Sequence, residues 1–170
     1  MKIALASDHS GFEMKNQLVD WLISKWYEVE DFGAHEYDAT DDYPDFVHQA
    51  AQKVSEYPDE YRGIIFGGSG QGEAIAANKH DHVRCALYYG WRLAVSELEQ
   101  EGTDSRDPLD FIRLSRKHND TNMLSLGARF LTEDEVIDAV AIWLLEPFSW
   151  VERHARRIGK IDNGIKRLKD

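Results

Sequence analysis

The sequence predicts a doubly wound α/β domain, and three observations carry that prediction. Short apolar, β-forming runs recur at 2–6, 27–32, 63–66, 84–87 and 123–126. Each is followed by a stretch that reads as helix, the alternation that builds a parallel sheet. The polar and glycine-rich residues gather directly after these runs, where loops leave the carboxyl ends of strands and ligands bind. At 170 residues the chain fits one domain spanning 1–170, large enough to bury roughly 70% of its unfolded surface.

The first run meets Ser7-Asp8-His9 at once, which is too short for a signal sequence. Met14, Leu18, Trp21 and Leu22 then share one helical face. The second run closes on Asp31-Phe32-Gly33, and the third enters Gly67-Gly68-Ser69-Gly70-Gln71-Gly72 before a helix expected over 73–78. The fourth carries Cys85, the only cysteine, which excludes an intrachain disulfide and a Cys-rich metal site and fits a reducing cytoplasm. A polar, acidic stretch over 96–108, broken by Gly and Pro, reads as a surface loop before another helix near Leu109. Past the fifth run, Thr132-Glu133-Asp134-Glu135 resembles a capping box before a helix whose inner face is Val136, Val140, Trp143 and Leu144.

No stretch approaches the ~20 apolar residues of a membrane span. The net charge of −11 argues against general nucleic-acid binding, although residues 152–170 hold seven Lys/Arg against three acids, +4, which leaves −15 elsewhere. A basic tail over 150–170 is either a local anion site or a solvated helix face.

The turn from Gly67 to Gly72 can turn backbone N–H groups toward an anion, or can be glycine-rich for steric reasons alone. It is not a P-loop, since no Gly-Lys-Ser/Thr follows, and Glu73 is misplaced for a dinucleotide pyrophosphate. Glu73 is either an ordinary acid at a helix start or a base beside donors that stabilise an enediolate oxygen. Asp8 and His9 suit a substrate hydroxyl and a phosphate, with helix capping by Asp8 or Ser10 as the alternative. His118-Asn119-Asp120 reads equally as a turn. Arg153 and Arg157, four residues apart, place two guanidinium groups on one helical face, which suits a phosphate, and Arg129 lies just past the fifth run. His35, His48, His80 and His82 read as surface or structural residues.

These blocks together resemble a known family. Ala6-Ser7-Asp8-His9-Ser10-Gly11-Phe12, Asp31-Phe32-Gly33, Asp42-Tyr43-Pro44-Asp45-Phe46, Gly67 to Glu73 with Ala76-Ala77-Asn78-Lys79, Ser115 to Asn122, Gly127-Ala128-Arg129 and Pro147-Phe148 with Arg153-His154-Ala155-Arg156-Arg157 are similar, in order, to ribose-5-phosphate isomerase B and the galactose-6-phosphate isomerase subunits. The resemblance implies a Rossmann-like three-layer α/β/α sandwich on a five-stranded parallel sheet. It implies a cytoplasmic enzyme with no cofactor and no metal, and a homodimer or dimer of dimers whose active sites are shared between subunits. By position, Glu73 is the implied base, His118 opens the furanose ring with help from Asp8, and Ser69 with Gly68, Gly70, Gln71 and Gly72 holds the enediolate. His9, Arg129, Arg153 and Arg157 are the implied phosphate ligands, and Asn119 contacts the sugar. Many members carry a cysteine base at the position of Gly67; a second branch pairs glycine there with glutamate at 73, as here. The substrate implied first is ribose 5-phosphate. Other four- to six-carbon sugar phosphates, such as galactose 6-phosphate or allose 6-phosphate, stay open, as does a non-catalytic sugar-phosphate-binding subunit, because the 96–108 stretch reads as an insertion near the site.

Overall fold

The computed structural model describes every residue except 97, 99–106 and 168–170, with backbone alone over 163–167. The 96–108 stretch therefore falls largely outside the described residues. Five strands, β1 (Lys2–Ser7), β2 (Glu28–Asp31), β3 (Tyr61–Gly67), β4 (Cys85–Tyr88) and β5 (Met123–Gly127), alternate with helices α1 (Phe12–Ser24), α2 (Tyr43–Glu56), α3 (Gln71–Ala77), α4 (Asp110–Asn119), α5 (Glu133–Leu145) and α6 (Glu152–Arg167). The sheet order is β2-β1-β3-β5-β4 and every pairing is parallel, as the alternation of runs predicts.

The chain divides into two compact units, 1–89 with 121–136 and 90–120 with 137–170. The first contains the whole sheet. Its chain moves from β1 outward to β2, then back across β1 to β3. With right-handed crossovers, that reversal puts α1 on one face and α2 on the other. Burial alternates to match. Ala4 and Ala6 of β1 join Val47, Ala50, Ala51 and Val54 of α2 in one apolar cluster, whereas Ile3 and Leu5, also fully buried, project from the opposite side of the pleat. The reversal opens a crevice between the carboxyl ends of β1 and β3, the usual ligand position in such sheets.

Leu18 and Leu22 of α1 are buried as their spacing predicts, while Met14 and Trp21 are half-buried. The deepest polar residue on that helix is Lys15, wholly buried, its ammonium paired with the Asp31 carboxylate and 5.9 Å from the Phe12 ring centroid. At the start of α5 the capping box forms in both directions: Thr132 N–H donates to Glu135 Oε2 at 2.9 Å, and Glu135 N–H donates to Thr132 Oγ1 at 3.3 Å. Val136, Val140, Trp143 and Leu144 are all buried.

In the second unit α4 and α6 pack together. The Asn119-Asp120 pair makes the turn that its composition suggests: Asp120 sits in the left-handed region (φ 43°) and its N–H donates to the Arg116 carbonyl at 2.9 Å, closing α4. His118 thus belongs to the last helical turn.

Candidate active site

The glycine-rich turn leaves β3 at Gly67 and enters α3 at Gln71. Gly70 adopts φ 73° at the start of α3, and a Cβ there would lie 2.8 Å from Leu87 Cδ1 and 3.1 Å from the Leu126 carbonyl carbon. Glycine answers both demands. The turn is clamped from β5 and the residues just after it: Ser125 Oγ donates to the Gly70 carbonyl at 2.7 Å, Ala128 N–H to the Gly67 carbonyl at 2.9 Å, and Arg129 N–H to the Gly68 carbonyl at 3.1 Å. The Ser69 hydroxyl accepts from the Gln71 N–H at 3.4 Å. Gly72 admits Tyr43, whose hydroxyl would be 2.6 Å from a Cβ at that position.

Glu73, in the first turn of α3, is 4% exposed. Its carboxylate rests on Gly67, where a Cβ would fall 1.7 Å from Oε1 and 2.0 Å from Cδ. No side chain at 67 coexists with this rotamer. Burial raises the Glu73 pKa above the ordinary glutamate value; its own backbone N–H pulls it down, and the nearby charge of Asp8 adds to the rise. A buried carboxylate of raised pKa, held against a glycine turn, has the character of a general base. Cys85 lacks that character, since burial pushes its thiol far above the ordinary range and its Sγ lies 3.6 Å from the Ala86 carbonyl.

At the end of β1, Asp8 is buried and accepts from the Ser10 N–H at 2.9 Å. Neither residue caps α1, whose first turn receives no side-chain bond. The Asp8 bond instead shapes the turn that presents His9. Asp41 Oδ1 receives both the His9 backbone N–H at 3.0 Å and Nδ1 of its ring at 2.6 Å. That bond to Asp41 raises the His9 pKa most; burial opposes it, the charges of Asp8 and Asp41 add to the rise, and Arg129 opposes it. His9, Ser10, Tyr37 and Arg129 are among the residues lining a cavity of about 410 Å³. Arg129 Nη2 donates to Ser10 Oγ at 3.3 Å, and its guanidinium would stand 3.2 Å from a Cβ on Gly68. Two of the phosphate ligands implied by the sequence, His9 and Arg129, therefore share one cavity.

In the second unit the His118 and His154 rings lie 4.0 Å apart between centroids, and Arg153 Nε donates to His154 Nε2 at 3.1 Å. Buried His154 thereby brings His118 and Arg153 into one cluster. Arg157 is exposed on α6, four residues beyond Arg153, and Asn119 is exposed at the end of α4.

Asp41 behind His9 and Ser125 under Gly70 carry no part in the sequence reading, and Tyr43 over Gly72 and, within the second unit, His154 against His118 enter it only as members of the family blocks, with no role assigned. The acidic run ahead of Tyr43 was the available signal for Asp41. Ligand-type atoms of Asp8, His9 and Asp41 lie within 4.8 Å of one another, but the His9 nitrogen in that set is the one bonded to Asp41.

A family model described as ribose/galactose isomerase matches residues 3–103 and 109–161. Ribose-5-phosphate isomerase B of Mycolicibacterium paratuberculosis is 38% identical over 93% of the chain and 87% of its own length. Among solved structures, ribose-5-phosphate isomerase B of Mycoplasma genitalium, with bound ribulose 5-phosphate, matches with a TM-score of 0.83 at 35% identity, covering 97% of this chain and 96% of the other. The Clostridium thermocellum ribose-5-phosphate isomerase B matches at 0.82 and 37% identity, covering 99% of both chains. The fold, the buried glutamate on its glycine turn and these likenesses agree: the chain belongs to the ribose/galactose isomerase family.

Proposed function

We propose that the protein interconverts ribose 5-phosphate and ribulose 5-phosphate without a cofactor, using Glu73 as the base. The observation that carries this reading is the Glu73 carboxylate, buried and seated over Gly67 at the mouth of the β1/β3 crevice. His118 assists ring opening and Asp8 orients substrate hydroxyls. Glu73 then removes the proton from the carbon beside the aldehyde, and returns it to the neighbouring carbon. The turn from Gly68 to Gly72, with the Ser69 hydroxyl, holds charge on the enediolate oxygen. His9 and Arg129 receive the phosphate; Arg153 and Arg157 also bind phosphate and Asn119 the sugar, roles that rest on the family resemblance. A carboxylate base contributes about 10²–10⁴-fold, so oxyanion donors and phosphate-based positioning supply the remainder.

The ribose substrate is supported by the names of the relatives, several of which are ribose-5-phosphate isomerases, and by the ribulose 5-phosphate bound to the Mycoplasma genitalium protein. The same reading makes the protein a cytoplasmic homodimer or dimer of dimers, with sites completed by a second copy. Among the described residues no helix is long and apolar enough to cross a membrane. The stretch over 96–108 is read, from sequence alone, as an insertion before His118. Turnover of ribose 5-phosphate against four- to six-carbon sugar phosphates tests the assignment. The highest kcat/KM with the pentose phosphate is expected; no turnover of any member contradicts it.

A further inference from the structure

The His9 imidazole is held by a carboxylate 32 positions away in sequence, and the hold is double, through ring and backbone. We propose that Asp41 is the positioning residue of the phosphate site, fixing His9 so that its ring presents a protonated Nε2 to a phosphate oxygen. This rests on the isomerase reading for the identity of the substrate, though not for the geometry.

Asp41 is itself placed by a tight turn. Asp38 Oδ1 accepts the Thr40 N–H at 2.9 Å and the Thr40 hydroxyl at 2.7 Å, and the Asp38 carbonyl accepts the Asp41 N–H at 3.1 Å. The Asp41 side chain is 9% exposed, against 24% for His9. Its second oxygen, Oδ2, is buried with no hydrogen-bond partner, so the carboxylate is committed to the imidazole. A ring whose Nδ1 is engaged in this way has only Nε2 left for a ligand. The groups facing His9 are few. Asp8 Oδ2 lies 4.0 Å from Nδ1, the Tyr37 ring stands edge-on at 6.3 Å, and Glu13 and Arg129 line the same cavity. The Asp38 carboxylate is also influenced by the His9 charge. Asp8 and Asp41 favour the imidazolium and Arg129 opposes it. Without Asp41, Arg129 and burial would drive the ring toward the neutral form, leaving the phosphate one cation fewer.

Asp41→Asn tests this. The variant keeps an acceptor of similar size but removes the charge. Relative to wild type, KM for ribose 5-phosphate is expected to rise about tenfold near pH ~7, the worth of one charge-assisted hydrogen bond, with kcat little changed. The rise shrinks as the pH falls and His9 becomes a cation in both proteins. The substrate phosphate titrates in the same range, at a pKa of about 6, and cancels in the ratio of variant to wild type. Asp41→Glu, which restores the charge, brings the pH profile back toward wild type. A KM increase equal at all pH values, or a loss in kcat alone, would assign Asp41 a merely structural role and overturn the proposal.

The second measurement needs no catalysis and no variant. NMR titration of His9 in wild type is expected to give a pKa above the ordinary value of 6.5, raised further by inorganic phosphate. A His9 that titrates at or below the ordinary value, or ignores phosphate, overturns the proposal even if the enzyme is active. Absent isomerase activity with a phosphate-sensitive His9 would instead sink the isomerase reading alone.

Discussion

Gly67 lacks a side chain because the Glu73 carboxylate occupies the space where a Cβ would lie, 1.7 Å from Oε1. Gly67→Ala must therefore expel the carboxylate from its seat. The expected result is a fall in kcat approaching that of removing the base, about 10²-fold or more, with destabilisation of about 1–3 kcal/mol in denaturant titration. The burial of Glu73 also sets a pH dependence. Its folded pKa is raised above the ordinary 4.5, mainly by desolvation. The stability this group contributes is thus full below that value and is lost as pH rises through the folded value. Glu73→Gln escapes the loss, so the variant should melt higher than wild type at neutral pH, and the difference should close on acidification. Sequence could show that Glu73 follows a glycine turn, because that is local. It could not show that the carboxylate folds back on Gly67, nor that Asp41 reaches His9, because both depend on packing across many residues.

At the scale of elements, the periodic and capping signals were strong enough to read directly. The apolar face of α5 and its Thr132–Glu135 box are as the spacing implies. Lys15 is the counterexample. It sits three residues before Leu18 on the inner face of α1, yet its charge argues for solvent until its partner Asp31, on β2, is in place. The clamp of the glycine turn by Ser125 was invisible for the same reason, since β5 lies 55 positions from Gly70 and a serine in a strand carries no local signal. A cap and a clamp should respond differently to mutation. Thr132→Ala removes a helix cap away from the proposed chemistry and should cost about 1 kcal/mol of stability with kcat/KM unchanged. Ser125→Ala removes one of two donors to the Gly70 carbonyl, which keeps the Ala74 N–H at 3.0 Å, and should cost about 0.5–1.5 kcal/mol together with a loss in kcat, read by comparing melting and steady-state kinetics.

Across the whole molecule, the alternation of β-forming runs with helix-like stretches predicted a parallel sheet; the central strands β1, β3 and β5 are buried and largely apolar as such sheets require, whereas the edge strand β2 is acidic and only partly buried. The strand order β2-β1-β3-β5-β4 was not readable from those runs, yet it is what sets the ends of β1 and β3 side by side. Asp8-His9 and the turn before Glu73 are neighbours for that topological reason. Family likeness spans nearly the entire chain, whereas the proposed chemistry centres on this one crevice and its buried carboxylate. The most direct measurement is turnover of ribose 5-phosphate in deuterated water by wild type and Glu73→Gln. The account predicts deuterium at the carbon beside the carbonyl with the wild type, and a kcat about 10²–10⁴-fold lower, with exchange lost in proportion, for the variant. Isomerisation and exchange by Glu73→Gln at the wild-type rate would contradict it.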